Sequence, residues 1–364
     1  MPINMAGVSP AGRNFLKCAF ASPDFAVDPG QGIPDGYEGK ALMRKDVYTS
    51  TINFTANTDT YILVMPTPGV AYWTASVAAG TPLLQSTIWS PVYNTSFTTL
   101  FGAITDQASV VPTNPVERAL NVSKFRYASS TFEITPTSNY MQYAGSITVW
   151  KIPVSMDLMV KTSSPALNPQ TSEPELSLTG LDGLTTPSPD NKPFKFIDGA
   201  YSMAVNTEPT WQFQGVKSGI TRLPGIGETA ATNVTFGQFQ GDFVGVGDLQ
   251  TLVFKISTPT GAVNSAIIKA WSCIEYQPTP SSAFYQFAGR SPAQDMMALK
   301  LYRDIALKIP VAVCVMENDG FWSDKVVPII KSFLNAARVA GRVIPPLGQA
   351  VSGVDLITDA FGLL

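Results

Sequence analysis

The 364 residues include no histidine. That absence removes Ser-His-Asp and Cys-His nucleophile systems and every His-ligated metal site. Cysteine is scarce: Cys18, Cys273 and Cys314 are too few and too scattered for a zinc cluster or a disulfide framework. A Cys18–Cys273 bridge stays open beside the simpler reading of three buried thiols. Charge is scarce too, at 14% of residues with a net charge of -3, where about a quarter is usual. A chain so poor in charge is expected to have much of its surface covered, as by copies of itself. It exerts no global pull on nucleic acid. No uninterrupted apolar run reaches the ~18 residues of a transmembrane helix. Residues 1–10 lack the charged and apolar regions of a secretory signal, so the sequons at Asn53, Asn94, Asn121 and Asn233 are expected to stay unmodified. Gly225-Ile226-Gly227 and Gly245-Val246-Gly247 lack the strand–helix context of a dinucleotide site. The acids Glu117, Glu133, Asp182, Glu208 and Glu275 form no recognisable catalytic pair.

What the chain does have is period-two patterning. Val47–Thr55, Thr60–Met65, Ala71–Val77, Lys124–Ile134, Tyr143–Ile152, Gln250–Ser257 and Val263–Tyr276 read as strands between Pro, Gly or Asn boundaries. The last two flank Thr258-Pro259-Thr260-Gly261, which predicts a hairpin. The first 46 residues carry Gly30, Gly32, Pro34, Gly36 and Gly39 and predict an irregular segment laid over a surface. Residues 161–247 loosen into Pro/Ser/Thr-rich loops with short strand fragments and predict a large exposed insertion. The body from 47 to 280 suits an antiparallel jelly roll. After Pro280 the period becomes helical. Ser291-Pro292-Ala293-Gln294 predicts an N-cap, a first-turn proline and a capping-box glutamine. Ala298, Leu301, Tyr302 and Ile305 are the expected buried stripe, and Pro310 the stop.

Two stretches invite chemistry. Asp24 is the single carboxylate between Phe20 and Phe25; walled by both, its pKa would rise through desolvation. A turn aspartate is the commoner use of Ser-Pro-Asp. Residues 322–342 form an amphipathic helix pattern. Trp322, Val326, Ile329, Ile330, Phe333, Ala337 and Ala340 share one face, and Asp324, Lys331, Asn335, Arg338 and Arg342 the other. Such a helix packs on its own domain or lies in a membrane interface with its basic face outward.

Several blocks, in order along nearly the whole chain, resemble the capsid precursors of the alphanodaviruses, small RNA viruses of insects. They include Phe15-Leu16-Lys17-Cys18-Ala19-Phe20 with Pro23-Asp24-Phe25, and Asp28-Pro29-Gly30 with Gly32-Ile33-Pro34-Asp35. Further blocks are Pro66-Thr67-Pro68-Gly69-Val70-Ala71-Tyr72-Trp73, Phe125-Arg126-Tyr127-Ala128-Ser129 and Pro136-Thr137-Ser138-Asn139. Ala144–Lys151, Gly261–Ala266, Lys269–Tyr276 and Ile329-Ile330-Lys331-Ser332 complete the set.

The resemblance implies a mainly β protein: an eight-stranded antiparallel jelly roll with a large loop/strand insertion and a C-terminal helical region. It implies a coat protein of the virion, assembled in the host cytoplasm with T=3 icosahedral symmetry around viral genomic RNA. It also implies one autocatalytic cut after Asn318, before Asp319, with Asp24 as the catalytic acid. The freed peptide, 319–364, would then disrupt a host membrane. In this division 1–46 is an inner N-terminal segment, 47–280 the shell domain with the protruding insertion at about 161–247, and 281–318 an inner helical segment. No cofactor is required. Calcium at subunit interfaces is implied through Asp182 alone, since the partner acids of the family are replaced by Thr210 and Gln212. Other departures are Asp319, where the family usually has Ala or Ser, and Pro328 inside the lytic helix. The basic arm that the family carries ahead of the Phe15 block has no counterpart here. The first 40 residues hold only Arg13, Lys17 and Lys40, so RNA packaging by this chain is expected to be weak. The rival readings are a β-sandwich carbohydrate- or ligand-binding module without cleavage, and a pore-forming protein.

Overall fold

The computed structural model describes residues 8–20, 32–66, 70–81, 90–94, 122–137, 144–152, 155–160, 172–177, 191–206, 210–215, 217–221, 239–244, 249–315 and 328. Helix α1 (Pro10–Phe20) opens the chain. The strands follow in order: β1 (Lys40–Phe54), β2 (Thr58–Val64), β3 (Val70–Ala78), β4 (Ser90–Tyr93), β5 (Val122–Pro136), β6 (Ser146–Ile152), β7 (Ser155–Val160) and β8 (Ser172–Ser177). Then come β9 (Asn191–Lys195), β10 (Ala200–Ala204), β11 (Gln214–Gly215), β12 (Lys217–Thr221), β13 (Phe239–Val244), β14 (Thr251–Thr258), β15 (Asn264–Pro278) and β16 (Gly289–Arg290). Helix α2 (Met296–Ala306) closes the described elements.

Two antiparallel sheets form the sandwich. One runs β10-β5-β15-β1-β16, with β11 attached to β5; the other runs β4-β3-β2-β14-β6-β9. Successive long strands alternate between the sheets, β1 in one and β2 in the other, β5 and then β6, β14 and then β15, as in a jelly roll. The strand count exceeds eight because β3 and β4 extend one sheet and β11 and β16 attach to the other. Short ladders β7–β8 and β12–β13 stand apart from both. Inward-facing residues of both sheets, among them Ile62, Phe132, Ile134, Val149, Phe254, Ile256 and Ile268, make the central core. A second cluster lies on the outer face of the first sheet, where α1 and α2 cover Met43, Ala128, Trp271 and Cys273.

Four expectations need correction. Thr258–Gly261 is a turn, with Gly261 at φ +81°, but its flanking strands do not pair. β14 bonds β2 and β6 while β15 bonds β5 and β1, so the turn carries the chain from one sheet to the other. Turn chemistry specifies a reversal and not the partner. The N-terminal segment is not wholly irregular: Ser9 caps α1 by accepting from the Gly12 N–H at 2.9 Å, and Pro10 sits where a proline N–H is dispensable. The span 161–247 is not one insertion, since β9 and β10 inside it pair with β6 and β5. At five residues each they were short enough to pass for fragments. The N-cap of α2 is Asp295, whose Oδ1 accepts from Ala298 N–H at 3.0 Å. Ser291 instead donates to Glu275. The predicted stripe holds: Ala298, Leu301, Tyr302 and Ile305 are buried.

Candidate functional site

The region of interest is where the chain enters and leaves the two helices. α1 and α2 lie side by side. The Asp295 carboxylate, besides capping α2, accepts from Ser9 N–H at 2.7 Å and ties the two helix starts together. A Cβ on Gly12 would meet Ala298 Cβ at 2.7 Å, so the helices approach this closely only because residue 12 has no side chain. Phe15 stacks on Tyr302 at 5.5 Å between ring centroids, Phe20 lies 5.0 Å from the same ring, and Trp211 meets it edge-on at 4.8 Å. Phe20, the last residue of α1, is thus fixed in an aromatic pocket.

A second set of contacts holds the chain from Gly32 on. Ile33 N–H donates to Glu275 Oε2 at 3.0 Å, and Arg126 Nε donates to the same oxygen at 2.8 Å. Ser291 Oγ donates to Glu275 Oε1 at 2.7 Å. Arg126 also forks onto both Asp35 oxygens, donates to Trp211 O at 2.7 Å, and lies 4.2 Å from the Phe213 ring. Burial pushes the Arg126 guanidinium down, but Glu275 and Asp35 outweigh it and leave it raised. A side chain on Gly32 would strike the Glu275 carboxylate, so the chain can pass here only as glycine.

Beyond α2 the chain turns back onto β10. Tyr201 N–H donates to Val313 O at 2.8 Å and Val313 N–H to Tyr201 O at 2.9 Å, an antiparallel bridge. Ser202 Oγ donates to Val311 O at 2.6 Å, and Lys151 Nζ to Pro310 O at 3.2 Å. Burial pushes the Lys151 ammonium down to about 7. Its residue is only half-buried by accessible area, so water moderates that push.

Asp24, Asn318, Asp319, Asp182 and the residues Trp322, Val326, Ile329, Ile330, Phe333 and Ala337 lie outside the described residues. Of the amphipathic stretch only Pro328 is described, helical and exposed. What the structure brings together is their flanks. Phe20, four residues before Asp24, and Val313, five residues before Asn318, belong to one apolar cluster with Tyr201 and Tyr302. Four or five residues of extended chain reach at most about 14–18 Å. Of the two phenylalanines around Asp24, Phe20 is buried and Phe25 lies outside the description. Among the described residues no group of three acids or cysteines could hold a metal, and Thr210 and Gln212 are exposed. Cys18, Cys273 and Cys314 are free thiols; the first two are buried and face each other, and burial pushes the Cys18 thiol well up. Cys314 is half-buried.

Sequence reasoning missed Arg126, Ser202 and Lys151, and set Glu275 aside. A signal existed for one pair: Glu275 lies between Ile274 and Tyr276 and Arg126 between Phe125 and Tyr127, where a charge must find a partner. Ser202 and Lys151 carried none.

The sequence profile of the Peptidase A6 family matches residues 8–362. The chain is 45% identical to capsid protein alpha of Flock house virus over 99% of this chain and 86% of that protein. It is 45% identical to capsid protein alpha of Black beetle virus over 97% and 84%, and 39% identical to that of Boolarra virus over 98% and 88%. In structure it is similar to a chain of the T13 infectious bursal disease virus particle, with TM-score 0.51 and 11% identity over 89% of this chain and 99% of that one. That likeness bears on the fold alone.

Proposed function

The chain belongs to the Peptidase A6 family, and from that membership we infer that it is a viral capsid protein that self-assembles into the shell of a virion and cuts itself once. The observation that carries the reading is the near-full-length identity with capsid proteins, on a sandwich whose helical layer gathers both flanks of the expected catalytic pair. A β-sandwich binding module is not favoured.

Within that function we assign the cut to the Asn318–Asp319 bond and the acid to Asp24. The Asn318 side-chain nitrogen attacks its own main-chain carbonyl carbon. A C–N bond forms, the peptide C–N bond breaks, and the proton lost by the amide balances the one gained by the Asp319 amine. Water then opens the cyclic imide. The reaction needs orientation and a proton shuttle, with neither histidine nor metal. A carboxyl group kept protonated by a dry surrounding can polarise the carbonyl and pass the proton. Packing of subunits in a T=3 shell would complete that dry surrounding and tie the cut to assembly.

The division proposed for the chain keeps 319–364 as the released membrane-active peptide and 281–318 as the inner segment preceding it. The nucleic-acid partner is viral RNA, for which half-buried Arg13 and Lys17 on α1, exposed Lys300 and Arg303 on α2, and Lys308 just past it offer positive charge. Calcium is not assigned, because Thr210 and Gln212 stand in the sequence where the resemblance expects partner carboxylates. Assembly takes place in the host cytoplasm.

The test is intact-mass measurement on assembled particles. Asp24→Asn, nearly isosteric but unable to exchange a proton in the same way, is expected to assemble and stay uncut, and Asn318→Ala likewise. Cleaved mass at the native rate in Asp24→Asn particles would remove Asp24 from the role.

A further inference from the structure

The assignment of Asn318 does not say what holds the scissile bond in place. We propose that β10 anchors the chain just before the self-cleaving bond through an antiparallel bridge at Val313, with Ser202, Lys151 and Gly199 as its positioning residues. The proposal rests on the Asn318 reading.

Among the described residues β10 is the last strand of its sheet, so its outer edge can accept another stretch of chain. Such an edge is a template for another strand. The chain's own Val313 takes it as a single bridge. The paired hydrogen bonds between Tyr201 and Val313 set the register. Two residues further along, Val315, where the chain is already helical, lies against Gly199. Gly199 has φ +62°, and a Cβ there would meet Val315 Cγ2 at 2.6 Å and Ile134 O at 2.5 Å. The glycine therefore leaves the space that Val315 occupies. On the other side of the bridge, Ser202 Oγ holds the Val311 carbonyl and Lys151 Nζ the Pro310 carbonyl. Four successive contacts fix the chain from 310 to 315, and Val315 is three residues from Asn318.

A lone hydrophobic contact would hold this segment to the body equally well. Carbonyl-directed side-chain bonds at 310 and 311 do something more: they fix where along β10 the chain sits and block a slip past it. An intramolecular attack is sensitive to such placement, since an error of about 1 Å costs up to a hundredfold in rate. The arrangement is also one-sided. It grips the chain before the cut, so the new carboxyl terminus stays with the shell protein while the peptide beyond it is released.

The experiment compares cleavage rates in assembled particles by intact mass. Ser202→Ala and Lys151→Met are each expected to slow the cut about tenfold or more with particle yield unchanged. Lys151→Arg, which keeps a cation and donor, is expected to return to within about twofold of wild type, a rescue that a purely packing role would not require. Wild-type rates in both Ser202→Ala and Lys151→Met overturn the proposal. Should the buried Ser202→Ala chain fail to assemble, Lys151→Met at its half-buried position decides alone. An independent readout is hydrogen exchange in unmodified particles: the Val313 amide is expected to be protected like those of β10, and exchange at the rate of an open amide overturns the docking. Asn318→Ala separates the two readings. If that variant is still cut at the same bond, the scissile assignment fails; if it is uncut while the other two cleave normally, only the docking proposal fails.

Discussion

Replacing Arg126 with methionine removes the one cation from a site with a fully buried carboxylate. Glu275 is 0% exposed and the Arg126 side chain 3%. Breaking a buried pair by deleting one partner costs about 3–5 kcal/mol, most of it the penalty of the charge left behind. Two groups temper that penalty: Ile33 N–H and Ser291 Oγ still donate to the carboxylate. Asp35, partly exposed, can be rehydrated. Against this stand the orphaned Trp211 carbonyl and the lost cation–ring contact with Phe213, worth about 1 kcal/mol or more together. The expected loss is about 4 kcal/mol. For a chain of this length that lowers the apparent melting temperature of assembled particles by roughly 5–10 °C. The assay is a fluorescence melt at fixed scan rate, since capsid unfolding is read as a rate. Arg126→Met with Glu275→Gln should regain about half the loss, because no buried charge is left unpaired. A drop under about 2 °C, or a double variant no more stable than the single, would refute the reasoning.

Asp46 gives the opposite sign. Burial raises its pKa despite Arg44 and the Tyr276 hydroxyl, which pull it down. A carboxyl group with a raised folded pKa binds a proton more tightly in the folded state, so its stabilisation is lost as pH rises through that value. Asp46→Asn particles are therefore expected to melt above wild type at pH 7, with the gap closing as pH falls toward the ordinary carboxylate range; an unchanged gap across a pH series counts against burial as the cause. For the C-terminal peptide, dye release from anionic liposomes should be strong with free 319–364 peptide and with cut particles, and weak with Asn318→Ala particles. Charging both Ile330 and Phe333, at the centre of the apolar stripe, should abolish most of the release by free peptide. Equal leakage from cut and uncut particles would return residues 322–342 to the role of a packing helix.

The strands were legible because period two survives wherever one face of a strand is buried. Val47–Thr55 and Val263–Tyr276 were read seven and one residues from their true starts, and the α2 stripe was read but for Ala306. Partner choice was not legible. The turn at 258–261 has the residues of a hairpin, yet whether its arms pair or part is decided by strands more than a hundred residues away. α1 was hidden by composition: the glycines and prolines that suggested irregularity lie mostly after Phe20, while Ser9-Pro10 is itself a helix start. At the site, Asp24 and Asn318 came from family resemblance, and their anchors from geometry. No local pattern marks a serine that holds a distant carbonyl or a glycine that makes room for Val315.

β15 pairs with β1 from Leu42↔Tyr276 to Phe54↔Asn264, and on its other edge with β5. The centre of this sheet is therefore supplied by nearly the last strand to be made. Until residue 278 has left the ribosome, β1 and β5 have no neighbour between them, and both long edges stand open. Pairings this distant close slowly, and open edges invite other chains. Synthesis order thus acts as a lock on assembly. A truncated chain ending before β15 would lack both the strand that joins β1 to β5 and the helix α2 on which α1 packs. Defective or unfinished chains would be kept out of a growing shell by the lack of a surface to offer, before any question of cleavage arises.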